Sequence, residues 1–292
     1  MLAVVGLALG SFLNVCISRI PRDESIVSPA SRCPRCGKPV RWYNNIPVIS
    51  FLMLKGRCAD CAQPISFRYP LVELFTATLF VACYAKFGFT LELLKFSLFS
   101  FLLIGLIFMD AETGLLPREF TWPGIGLGLV FAWIVPGDGS GTEFLLAVLG
   151  VRSNLAVRQL SLLDAVIAIA FGAGFFYAIW AIYYLVRKRH GLGFGDIALI
   201  AMCGAFIGLK LTIFVLFAAP IVGTVFAIAL LLRNASARGH VPRGPDRQHP
   251  STAEMLRVGE VPFGVFLGGC SLLAVFWGEA AWRHYLRWAG LG

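Results

Sequence analysis

Apolar residues run through this chain in long blocks broken by short polar joints. Blocks close to the roughly 20 residues that carry a helix across a bilayer cover Met1–Ile20, Leu71–Phe89, Leu91–Met109, Phe120–Val135, Leu163–Val186, Ile197–Leu209, Leu211–Leu232 and Val261–Trp282. The pattern predicts an all-α polytopic membrane protein of about eight transmembrane helices. A polar, basic segment, residues 21–70, separates the first block from the second. The expected division is a first transmembrane helix at 1–20, a small cytoplasmic domain at 21–70 and a transmembrane domain at 71–292. Within the last, residues 233–260 are rich in Arg, Pro, Gly and Ser and read as a mobile cytoplasmic loop. Pro136–Leu162 reads as an outside loop with an apolar patch, Phe144–Gly150, at the interface. Glycines at 6, 10, 204 and 208 sit where helices in a bilayer approach closely.

Composition sharpens this picture. Of 292 residues, 58% are hydrophobic and 14% charged, against about 45–50% and about 25% in soluble domains. Mean hydropathy is +0.78. No basic residue precedes the first block, and Arg19 and Arg22 follow it, the reverse of a secretory signal. Its N-terminus is therefore expected outside. Threading the blocks alternately places 18 Lys and Arg residues on the inside and seven outside, as the positive-inside rule asks. The net charge of +9 thus belongs to cytoplasmic loops; no basic patch interleaved with aromatics points to nucleic acid.

Residues 21–70 hold two CxxC pairs, Cys33-Pro-Arg-Cys36 and Cys58-Ala-Asp-Cys61, with 21 residues between them. Each pair can place two thiolates on one turn, and two turns complete a tetrahedral zinc site. Four thiolates leave no open position, so the metal would be structural, in a zinc-ribbon-like fold. A redox pair or free thiols is the alternative, disfavoured in a cytoplasmic loop. Between the pairs, Arg41-Trp42-Tyr43-Asn44-Asn45-Ile46-Pro47 is an aromatic loop that packs on the ribbon or lies at the membrane interface. Glu73, a turn into a spanning segment, faces the bundle interior or water, or pairs with Arg68.

Two further acids stand out. Asp110 ends the run Phe96–Met109, and Asp196 ends Gly191-Leu-Gly193-Phe-Gly195-Asp196, at the mouth of the next run. Acids there are costly and mark function by default. Asp110 ends an inward-running helix and Asp196 begins an outward-running one, so both fall on the cytoplasmic face. As a boundary residue Asp110 is poorly placed, since a helix C-terminus disfavours an acid; Asp196 doubles as a helix N-cap. Two carboxyls at contact share a proton and can hydrolyse an amide with water. The dipoles suggest Asp196 as base and Asp110 as acid. The four histidines form no nucleophile–base or His-Glu-x-x-His pattern.

These residues together resemble the bacterial type IV prepilin peptidases. The resemblance is carried by Gly10-Ser-Phe-Leu-Asn-Val-Cys-Ile-Ser-Arg-Ile-Pro21, the double CxxC segment with Arg41–Pro47, Arg68-Tyr-Pro-Leu-Val-Glu73-Leu74, Asp110-Ala-Glu-Thr-Gly-Leu-Leu-Pro117, Gly193-Phe-Gly-Asp196 and Val261-Pro-Phe-Gly264. It implies a GxGD aspartic protease of the bacterial inner membrane, with Asp110 and Asp196 catalytic and Gly193, Gly195 and Pro117 supporting them. Substrates would be type IV prepilins and type II secretion pseudopilins, cut after a basic leader at the cytoplasmic face. Members with the cysteine domain also methylate the new N-terminus from S-adenosylmethionine, which makes Trp42, Tyr43, Asn44, Asn45, Arg68 and Glu73 candidates for that second activity. No glycine-rich signature for the methyl donor is visible. The chain departs from the family at Arg118, at Ile197-Ala-Leu after the second aspartate, and at Val265. A proton-coupled transporter, or a methyltransferase or binding module with a vestigial dyad, are the competing readings.

Overall fold

The computed structural model describes residues 1–151, 154–188, 193–236 and 262–288. Apart from two isolated antiparallel bridges, the regular structure of these residues is helical: α1 (Leu2–Arg19), α2 (Ile49–Met53), α3 (Arg68–Phe87), α4 (Leu91–Thr113), α5 (Arg118–Ile134), α6 (Ser140–Val148), α7 (Val157–Arg187), α8 (Phe194–Ser236) and α9 (Phe263–Trp288), with 3-10 turns at Ile20–Arg22 and Trp42–Asn45. Among the described residues, six helices are long and apolar enough to cross a membrane. The chain forms two compact units, Met1–Gly105 and Leu106–Gly292, with α4 running through the boundary.

In the first unit α1 packs along α3. Gly6 lies against the Ala77 backbone and Gly10 against that of Glu73; a methyl group on either glycine would come within 2.6 and 2.7 Å of those Cα atoms. Glycine is thus required for the helices to approach this closely, the small-residue packing that operates in lipid. Leu13 and Ile17 of α1 and Val72 of α3 are buried in the seam. Asn14, also buried, ties the two helices by donating to the Tyr69 carbonyl at 3.0 Å.

In the second unit α8 packs on α7, α9 and α5. It runs from Phe194 to Ser236 as two helical stretches joined at a kink, leaving helical backbone at Gly208, where φ is +73° and ψ 178°. The joint expected between Leu209 and Leu211 is therefore a break at a single glycine. A side chain at Gly208 would collide with Asp164 of α7. Asp164 is buried. Its Oδ2 accepts from Leu209 N at 3.0 Å, and its Oδ1 from the amide and hydroxyl of Thr142 at 3.0 and 2.8 Å. One carboxylate thus accepts from the amide that the break exposes and from the open first turn of α6. Beside it Lys210 pairs with Asp138 at 2.9 Å and Glu279 at 2.8 Å. Against the cost of its burial, Lys210 and Ser140 hold the Asp138 carboxyl below its ordinary range.

Several boundaries differ from the sequence reading. α7 starts at Val157 rather than Leu163, because polar Arg158 and Gln159 supply its exposed first turn. The patch Phe144–Gly150 lies mostly in the short helix α6, whose Phe144 and Val148 are exposed. α8 continues through residues 233–236, and the rest of the expected mobile loop lies outside the described residues.

Candidate active site and metal centre

Asp110 sits in the last turns of α4 and is buried. The helix ends just beyond, at a turn closed by Gly114, whose φ is +65° and whose amide donates to the Asp110 carbonyl at 2.9 Å. Pro117 then caps α5, its extended backbone turning the chain and its carbonyl accepting from Phe120 N and Thr121 N. Asp196 lies in the first turn of α8, with its amide on the Gly193 carbonyl at 3.2 Å. It is thus inside the helix, after Phe194 and Gly195, and not the N-cap that the sequence suggested. Gly191 and Leu192 of that motif, and Val261 of the last one, lie outside the described residues.

The fold brings the two carboxyls within electrostatic reach of each other. Leu116 is the spacer between their supports: a methyl on Gly195 would lie 2.7 Å from Leu116 Cβ, and one on Gly264 3.1 Å from Leu116 Cδ1. Asp110 Oδ2 accepts from Val265 N at 3.0 Å, and the Gly264 amide also bonds this carboxyl. These are open N–H groups of the first turn of α9. Sequence reasoning set Asp110 at a helix C-terminus and drew the acid and base roles from that. In the structure both carboxyls meet helix N-termini, so the dipole no longer separates the roles. Leu116 and the α9 amides carried no signal of their own; an ordinary leucine and two backbone donors are invisible in a motif.

The four cysteines 33, 36, 58 and 61 gather as expected. Their Sγ atoms all lie within 4.8 Å of one another, and Cys33 and Cys61 are 3.9 Å apart. A tetrahedron with Zn–S bonds near 2.3 Å has edges of about 3.8 Å, so the set fits a zinc ion. Each pair forms the same knuckle. Cys33 N bonds Lys38 O and Gly37 N bonds Cys33 O; Cys58 N bonds Gln63 O and Ala62 N bonds Cys58 O. The bridges Arg32–Pro39 and Arg57–Pro64 close them alike. A repeated C-x-x-C-x-x-P in the sequence is the signal that would have revealed this pairing. Amides of Cys36 and Arg35 lower the Cys33 thiol to about 7. The Gln63 amide lowers that of Cys61, but burial and the neighbouring thiols outweigh it and raise the group to about 11.

The remaining candidates lie in the first unit. Trp42 is exposed and meets Tyr43 edge-on at 5.7 Å; Arg41 donates to the Tyr43 hydroxyl at 2.6 Å. Asn44 and Asn45 complete the 3-10 turn. Arg68 lies over the Tyr69 ring at 4.8 Å. Glu73 is buried in α3 and accepts from Val48 N at 2.8 Å.

Helices long enough to span a bilayer, two carboxyls that both meet helix N-termini and a four-cysteine cluster that could hold a metal ion are the features of a membrane-embedded peptidase with a cysteine module. The sequence matches the Bacterial Peptidase A24 N-terminal domain over residues 4–87 and the Type IV leader peptidase family over residues 96–228. The chain belongs to the type IV leader peptidase family. Relatives named prepilin leader peptidase/N-methyltransferase include one from Myxococcus xanthus, 40% identical over 81% of this chain and 64% of the relative. One from Neisseria gonorrhoeae is 35% identical over 83% and 85%, and one from Pseudomonas aeruginosa 30% identical over 98% and 93%. No solved structure matches.

Proposed function

We propose that this protein cleaves the basic leader of type IV prepilins, and of type II secretion pseudopilins, at the cytoplasmic face of a bacterial inner membrane, and N-methylates the product. The observation that carries the peptidase reading is that Asp110 and Asp196, 86 residues apart in sequence, are brought to one place: Leu116 lies against both Gly195, beside Asp196, and Gly264, which touches the Asp110 carboxyl. One ionised carboxylate takes a proton from the attacking water. The other, protonated, donates to the scissile carbonyl oxygen; as the resulting diol collapses, the first carboxyl passes its newly gained proton to the leaving amine and the second takes a proton back from a diol hydroxyl. The Gly264 and Val265 amides hold the Asp110 carboxyl in place; Gly193, Gly195 and Pro117 shape the turns that present both acids. Among the competing readings, the transporter gives no account of the cysteine module, and the relatives' names do not favour it.

Cys33, Cys36, Cys58 and Cys61 would hold a structural zinc ion that ties the two knuckles together. The methyl donor implied by the family is S-adenosylmethionine; no residue is assigned to it. We assign eight spans: the six long helices, with α8 counted as two across Gly208, and α5, whose 17 residues fall just short. The N-terminus is then outside and the cysteine module cytoplasmic.

The test is conversion of a purified prepilin in detergent, followed by mass spectrometry. Asp110→Asn and Asp196→Asn should each lower cleavage by about 10³-fold or more, while the wild type cuts and methylates. Cleavage at the wild-type rate by either variant would exclude the dyad.

A further inference from the structure

The segment between the knuckles is held in a way that the peptidase site does not explain. Val48, β-branched, has φ +58° and ψ −45°, a conformation such residues rarely adopt and that persists only where the surroundings enforce it. Here they do. Buried Glu73 accepts the Val48 amide at 2.8 Å. Ser50 Oγ accepts from Ile46 N at 3.0 Å and donates to the Tyr43 carbonyl at 2.9 Å. The clamp sets Asn45 and Pro47 across from one face of α1, and a pocket of about 330 Å³ lies between, lined by Ala8, Ser11, Phe12, Val15, Asn45 and Pro47.

The pocket is chemically two-sided. Ala8, Phe12, Val15 and Pro47 form an apolar wall. Ser11 and Asn45 are polar, and the Ser11 side chain bonds the Glu73 carboxylate behind it. One turn along α1, the buried Asn14 Oδ1 has no hydrogen-bond donor among the described residues. A buried acid backed by acceptors suits a cation, and the apolar wall suits one large side chain attached to it. The volume is at the lower limit for a ligand site, enough for a single terminal residue.

We propose that this pocket binds the first residue of the cleaved product: its free N-terminal ammonium towards Ser11, Asn45 and Glu73, its apolar side chain against Ala8, Phe12, Val15 and Pro47. This deepens the methyltransferase reading above and rests on it. Cleavage just before a hydrophobic helix leaves the new terminus at the membrane face. Ala8 and Phe12 are exposed on α1, so a terminus still tethered to a membrane helix can enter from the side. Glu73 thus has two jobs, holding the strained Val48 turn and supplying the charge.

The experiment uses the full-length protein in nanodiscs and an apolar helical peptide of about 20 residues that begins with phenylalanine, either free or N-acetylated. The free peptide should bind about tenfold more tightly than the acetylated one. Glu73→Gln, which keeps an acceptor for Val48 N, should erase that preference. Ala8→Trp, on the exposed face, should weaken both peptides about tenfold or more. Zinc content and thermal unfolding report the fold of each variant; if Glu73→Gln fails to fold, Ala8→Trp and Asn45→Ala decide. Equal binding of the two peptides by the wild type, unchanged binding by Ala8→Trp, or variants that weaken S-adenosylmethionine but not the peptide would overturn the assignment. A wild type that neither cuts nor methylates a prepilin would instead defeat the functional reading, whatever the peptide does.

Discussion

At the scale of single residues the site depends on close contact between glycines and side chains. Gly264 is the sharpest case. A Cβ there would lie 2.8 Å from Asp110 Oδ2 and 3.0 Å from its Cγ, so the carboxyl or the α9 backbone must shift. Gly264→Ala should therefore lower prepilin cleavage by about 10²-fold, as displacements near 1 Å do, with little change in melting temperature; initial cleavage rates and thermal unfolding check this together. The two acids were legible because a carboxyl bordering an apolar run is expensive and calls for a reason. The donors on Asp110 were not, because every residue has an amide and only the fold says which ones are left open. Asp164 was missed although the same cost applied to it. It lies second in the run Leu163–Val186 and was counted inside that span without being singled out.

Among the elements, α8 shows how little sequence is needed to break a helix. Its 43 residues would extend about 65 Å if straight, about twice the hydrocarbon thickness. Gly208 supplies the break, and Asp164 satisfies the amide that the break exposes. Asp164→Ala would leave the Leu209 and Thr142 donors buried without an acceptor. It should cost about 3 kcal/mol, and Asp164→Asn, which keeps one carbonyl acceptor, should cost less; thermal or denaturant unfolding in micelles reads the order. The hydropathy pattern found both halves of α8 because each is a long apolar run. It placed the joint two residues late because Lys210 looked like loop, whereas its long side chain serves the ion pairs with Asp138 and Glu279.

For the whole molecule, helical class and the cysteine centre were readable from periodicity and spacing, and the division into two compact units was not. The boundary falls inside α4, in an unbroken apolar run with no composition shift to mark it. Two units with separate cores should respond separately to metal loss. One zinc ion per chain should be found by elemental analysis. Its removal by a chelator should open residues 23–67 to protease while leaving fragments from residues 106–288 intact. Protection of the first region after the metal has gone would show that the knuckles stand without it.

The amides that hold Asp110 belong to a helix that begins at Phe263, past residue 228, where the match to the leader peptidase family model ends. A shortened protein ending after α8 would still carry Asp110, Asp196 and the four clustered cysteines. It would nonetheless present one of its two reactive groups loose, and would look complete to a motif search while being chemically idle.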